Sequence, residues 1–165
     1  MDNKRIIRVA AAVPRVALAD VRKNTEEIIE LTGRAAALGA DIVAFPAHAL
    51  SGATCGDLLK EEVMAEAVAR GREKVLEFAR RKGVTVVLES CRIGQVEFEC
   101  VSQPEMVTAF RWKKAALNEK TATQGCACVW CNAGYGESTT DAVYGGGALI
   151  YNKGRLLAEN TRFRM

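Results

Sequence analysis

No apolar stretch of this sequence approaches the roughly 20 residues that a membrane-spanning helix requires, so no membrane partner is expected. A block of one charge sign is missing too. The 23 basic and 20 acidic residues are interspersed, giving a formal net charge of +3, which lacks the one-sided field of a nucleic-acid binder. The densest basic stretch, Arg80 to Lys82, closes a predicted helix, where cations offset the partial negative charge of the helix C-terminus. His48 is the only histidine, and the cysteines Cys55, Cys91, Cys100, Cys126, Cys128 and Cys131 include no second pair to complete Cys126, Cys128 and Cys131 into a four-ligand zinc set. Strand alternation would place Cys126 and Cys128 on one face and Cys131 on the other. The thiols read as small buried core residues of a reducing compartment and not as a disulfide framework; no metal or other cofactor is expected. Internal repeats, low-complexity segments and long linkers are also missing, so residues 1–165 read as one domain.

What is present is a soluble globular composition, 49% hydrophobic and 26% charged. Lys4 and Arg5 precede an apolar run in the manner of a signal peptide, but Arg8 and Pro14 interrupt it, and Ile6 to Val13 reads as a buried strand. A cytoplasmic protein is the expectation. From Asp20 to Leu38, the positions Val21, Ile28, Leu31, Ala35 and Leu38 share one helical face, and Gly39 suits the helix end. Asp41 to Phe45 is a second apolar strand ending at Pro46. Leu58 to Lys82 is helical in pattern, with Gly71 a possible break and Gly83 its close. Val84 to Leu88 and Val96 to Val101 read as strands, and Glu105 to Gln124 as a helix with Met106, Ala109, Phe110, Ala116 and Leu117 in one arc. Cys126 to Cys131, Ala148 to Tyr151 and Leu156 to Glu159 supply short strands, the last two joined by a turn at Asn152, Lys153 and Gly154. Alternating strands and helices imply an α/β fold with helices packed on a sheet.

Two segments carry a likeness to a known family. The first, about 7–90, contains RVAAAVPRVALAD and GADIVAFPAHALSGATCGDLL; the second, about 96–163, contains CNAGYGESTTDAVYGGGALIYNKGRLLAENTRF, with GESTTD its most specific part. Together they resemble the nitrilase (carbon–nitrogen hydrolase) superfamily, and within it the glutaminase domain of glutamine-dependent NAD synthetase. The resemblance implies nitrilase-like α-β sandwich layers, truncated relative to the full four-layer α-β-β-α domain, and a glutamate, lysine and cysteine triad. The family's glutamate follows Phe-Pro; here Phe45 and Pro46 are followed by Ala47. The chain passes from Ser90 to Val96 almost directly, which by ordinary domain lengths leaves out roughly a hundred residues of the family's middle, its lysine included. No counterpart of the synthetase domain is present, so the chain is not expected to make NAD by itself.

The remaining candidates are few. Cys91, in the run Glu89, Ser90, Cys91, has the Glu-x-Cys spacing of the family's nucleophile strand, although Val84 to Ser90 follows its helix as a different strand of the family does. His48 could titrate near neutrality, but strand alternation would point it away from position 47. Lys113 lies within the apolar arc of its helix, where a lysine ordinarily lays its methylenes on the core and reaches solvent at the edge; Lys114 reads as solvated. By the resemblance, Ser102 lies near the family's bound amide, and Gly136, Glu137, Ser138, Thr139 and Asp141 form a loop near the family's site. The same loop also reads as a turn capped by Ser138 or Thr139.

Three functions are compatible with these residues. The first is a degenerate or truncated glutaminase-like domain without amidase activity. The second is an assembly module on the same fold that associates with itself. The third is an active amide hydrolase with a rearranged site, in which Cys91 works with Glu89 or Glu97 and glutamine is the substrate.

Overall fold

The computed structural model describes residues 6–163; Lys4 and Arg5 of the N-terminal basic pair lie outside them. In chain order the elements are β1 (Val9–Ala11), α1 (Val21–Ala37), β2 (Ile42–Ala44), α2 (Glu62–Lys82), β3 (Thr85–Val87), β4 (Cys91–Ile93), β5 (Val96–Val101), α3 (Ala109–Gln124), β6 (Ala127–Asn132), β7 (Ala148–Asn152) and β8 (Arg155–Glu159). A 3-10 helix over Gly56–Lys60 precedes α2, and a second spans Tyr135–Glu137.

The strands form two sheets, one in the order β1-β2-β3 and one in the order β4-β5-β6-β7-β8. The first is parallel throughout, because α1 and α2 supply the crossovers that parallel neighbours need. In the second, α3 makes the same crossover between parallel β5 and β6, and the other neighbours are antiparallel. Apolar packing separates the layers. Val43 and Phe45 of the first sheet pack with Ile28 of α1 and Val75 of α2. Ile42, Ala44 and Val87 pack between the sheets with Phe98, Cys100, Val129 and Cys131. Leu117 of α3 covers Cys128, Trp130, Leu149 and Tyr151 on the far face. The order is therefore helix, sheet, sheet, helix. Four layers are present in this chain.

Local chemistry explains most of the boundaries. Asp20 caps α1 by accepting from the Lys23 N–H at 3.0 Å. Gly83 closes α2 in the left-handed conformation at φ 68°. Lys153 (φ 49°) and Gly154 (φ 78°) turn β7 into β8.

Several expectations are corrected. The first strand is three residues long, and Ile6 and Ile7 are exposed, because pairing with β2 begins only at Val9. Leu38, 86% exposed, stands beyond the last turn of α1 and off its apolar face. Gly71 does not break α2; it lets the helix approach α1, where a Cβ would come within 2.6 Å of Thr25 Oγ1. The third helix starts at Ala109, so Met106 precedes it and is exposed, as is Ala116. β4, which forms a hairpin with β5 through Gly94, was not apparent in the sequence pattern.

Candidate functional site

The C-terminal ends of parallel strands, where backbone groups and loops converge, are the usual place for an α/β site. Here the chain leaves β2 through Phe45, Pro46 and Ala47. It turns sharply at His48, which sits in the left-handed region at φ 58°, while the His48 carbonyl accepts from the N–H groups of Ser51 and Gly52 at 3.1 and 2.7 Å. A cavity of ≈ 160 Å³ opens at this point, lined by Ala47, His48, Ser51, Arg72, Leu88 and Glu89 among others. Ala47 and His48 both line it. The expected alternation fails because β2 has already ended at Ala44 and position 48 belongs to a turn. The carboxylate on this wall, Glu89, is engaged by Arg72 at 2.5 Å.

Ser102, at the end of β5, donates its hydroxyl to the Ala47 carbonyl at 2.6 Å. It thereby links the second sheet to the position that follows Phe45 and Pro46. Asn132, at the end of β6, accepts from the Gln103 N–H at 2.7 Å and donates to the Gln103 carbonyl at 2.8 Å, fixing the next residue along. Asn24 of α1 does the same work nearby, bonding both backbone groups of Ala17 and the Leu50 carbonyl.

Within the loop 136–141, Glu137 is wholly buried and reaches across to the segment after β2. Its carboxylate accepts from the Ala53 N–H at 2.7 Å, the Thr54 N–H at 3.1 Å and the Thr54 hydroxyl at 2.9 Å. Gly136 lets the loop lie against the chain between β1 and α1: a Cβ there would come 2.2 Å from the Val16 carbonyl oxygen. Ser138 accepts from the Tyr144 N–H, and Thr139 accepts from the N–H groups of Asp141 and Ala142, so these hydroxyls cap the turn. The Glu137 charge also has reach: after burial, it helps raise the pKa of the Tyr144 phenol, and it adds to the burial that raises the Cys55 thiol.

Cys91 stands apart from this arrangement, exposed on β4 at the edge of the second sheet. Burial, then Cys100 and Glu89, push its thiol up, the reverse of what an activated nucleophile needs. Of its two proposed bases, Glu89 holds Arg72, and Glu97 holds Lys120 at 2.6 Å and Arg92 at 3.0 Å. Lys113 does not run to solvent; it meets Glu99 at 3.4 Å and lies over the Trp130 ring. Lys114 is not solvated either but half-buried against Glu159. Among the described residues no group of three or more His, Cys, Asp or Glu is placed to hold a metal ion. Cys128 faces α3 and Cys131 faces the first sheet, as strand alternation requires.

No family profile matches the sequence, and no curated protein matches it. Solved structures do match in shape. A glutamine-dependent NAD(+) synthetase from Cytophaga hutchinsonii superposes with a TM-score of 0.81 at 15% identity, over 96% of this chain and 41% of that one. The fold is the nitrilase fold. The glutamine-dependent NAD+ synthetase of Acinetobacter baumannii matches at 0.75 and 12% identity, over 93% of this chain and 43% of that one. A nitrilase-superfamily amidase from Nesterenkonia sp. AN1, which has an active-site cysteine, gives 0.75 at 14% identity, over 94% of this chain and 86% of that one. The chain thus spans less than half the length of the two synthetases.

Proposed function

We propose that this nitrilase-fold domain keeps the framework of a glutaminase-like carbon–nitrogen hydrolase without hydrolysing amides. Amide hydrolysis by a thiol enzyme needs a nucleophilic sulfur, a carboxylate to move its proton and a donor or cation for the oxyanion, all within reach of one carbonyl. The observation that carries the reading is the cavity at Ala47. An alanine stands where the resemblance expects the base, the wall's carboxylate is held by Arg72, and among the described residues neither a lysine nor a thiol lines the space. Cys91, with its thiol pushed up, supports the rearranged-hydrolase alternative poorly. The expected result is no ammonia release from glutamine or simple aliphatic amides above that of a Cys91→Ala control. Turnover clearly above that control would overturn the reading.

Self-association is the second reading, favoured by apolar surface around the start of α3. Val107 is 94% exposed and Met106 and Trp112 are each 71% exposed, while Met106, Phe110 and Phe163 line one open depression. Exposure on this scale is unusual for a surface that meets only water. Light scattering at micromolar concentration should give a dimer or larger species, and a monodisperse monomer would remove this reading.

A further inference from the structure

Cys100 and Cys131 are direct partners across the parallel pair β5 and β6. Neighbouring strands lie about 4.8 Å apart, inside the window of roughly 4.4–6.8 Å between Cα atoms that a disulfide spans. Both side chains point the same way, into the packing between the two sheets, with 5% and 0% of their surfaces exposed. The Cys131 thiol beside it, against the opposing effect of burial, lowers the Cys100 thiol, while Cys131 is raised. The outer side of β5 at this point is covered lightly. Its neighbour β4 is a three-residue edge strand, and the Ser90 hydroxyl alone bridges the Cys100 N–H and carbonyl. Short edge elements of this kind open locally at low cost. Cys128 provides the contrast: it is on the opposite face of β6, and burial and then Glu99 push its thiol up to about 12.

We propose that Cys100 and Cys131 are a hydroperoxide-responsive thiol pair that closes to an intramolecular disulfide beneath the candidate site. The Cys100 thiolate attacks the hydroperoxide; an S–O bond forms, the O–O bond breaks and the departing oxygen takes a proton. The Cys131 sulfur then attacks the sulfenic sulfur. An S–S bond forms, the S–O bond breaks, and the hydroxyl leaves as water with the Cys131 proton. Two thiols lose two electrons and the hydroperoxide gains them. The cross-link joins β5 to β6 two residues before Ser102 and one before Asn132, so it stiffens the strands that hold Ala47 and Gln103. It does so whether or not the domain hydrolyses amides.

The test is to treat the native full chain with hydrogen peroxide, quench with an alkylating agent, and read intact mass and a non-reducing peptide map. The expected product has lost two hydrogens, carries a peptide linking Cys100 to Cys131, reverts with dithiothreitol and forms equally in Cys91→Ala. Three outcomes would overturn the proposal: oxygen added with no cross-link, a link formed only through Cys91, or thiols that stay reduced in the native chain while oxidising in urea. Because the link is mapped in the wild-type chain, the result does not depend on whether a Cys100 or Cys131 variant folds.

Discussion

Among the described residues no cation pairs with Glu137, and three donors from one short segment take the place of one. Charge-assisted bonds of this kind are about twice as strong as neutral ones, and a buried donor that loses its acceptor costs about 1–3 kcal/mol. In Glu137→Gln the amide keeps one acceptor but turns an NH₂ group toward donors that need acceptors. A loss of about 1–3 kcal/mol is expected, read as a lower urea midpoint, together with faster amide hydrogen exchange at Ala53 and Thr54. An unchanged midpoint would mean that the segment is held by other contacts. The resemblance singled out Glu137 as part of a loop near the site. Its partners could not be found from local spacing, because they lie 83 and 84 residues away. The turn at His48 was hidden for another reason: strand alternation was extended past the point where the strand stops.

Between α3 and β5 lies a charged layer in which Glu97 and Glu99 face Lys113 and Lys120. Burial acts to raise the Glu99 carboxyl, but the hydrogen bond from Lys120 and the charges of Lys113 and Lys120 outweigh it, leaving the group below its ordinary value. A depressed carboxylate contributes stability that is present above its unfolded value of 4.5 and is lost as pH falls through the lower folded value. Lys120 acts at the other end. Burial would lower it and its two glutamates raise it more, so its contribution is complete below 10.5 and is lost only as pH rises beyond. Glu99→Gln should therefore lower stability near neutral pH by about 1–2 kcal/mol and flatten the acid limb of the stability profile. Urea midpoints across the acid range check this; parallel wild-type and variant profiles would count against it. The sequence marked Lys113 as unusual but not its partner, since Glu99 lies on a different element and meets Lys113 only once α3 is laid across β5. The helices themselves were legible from periodicity and glycine ends. β4 was not, because three residues cannot display a period.

Across the whole molecule, the α/β order, the three crossover helices and the β7–β8 turn could be read from residues, whereas the number of layers could not. Periodicity reports that a strand is buried on a face, not which sheet it joins, and the short spacing from Val87 to Cys91 conceals the passage from one sheet to the other. What ties the sheets together at the site is long in sequence: Ser102 to Ala47 spans 55 residues and Glu137 to Ala53 spans 84. Contacts of such separation carry a large loop-closure cost and form after local helices and hairpins. Interactions absent from the folding transition state act on the unfolding rate. Ser102→Ala and Glu137→Gln should thus leave the refolding arm of a stopped-flow chevron nearly unchanged and speed the unfolding arm, by roughly tenfold for each 1.4 kcal/mol lost. Slower refolding in either variant would place these bonds in the nucleus instead. The bend from Ala47 to Thr54 would then be the last part of the chain to set and the first to let go, a segment whose persistence is governed by kinetics.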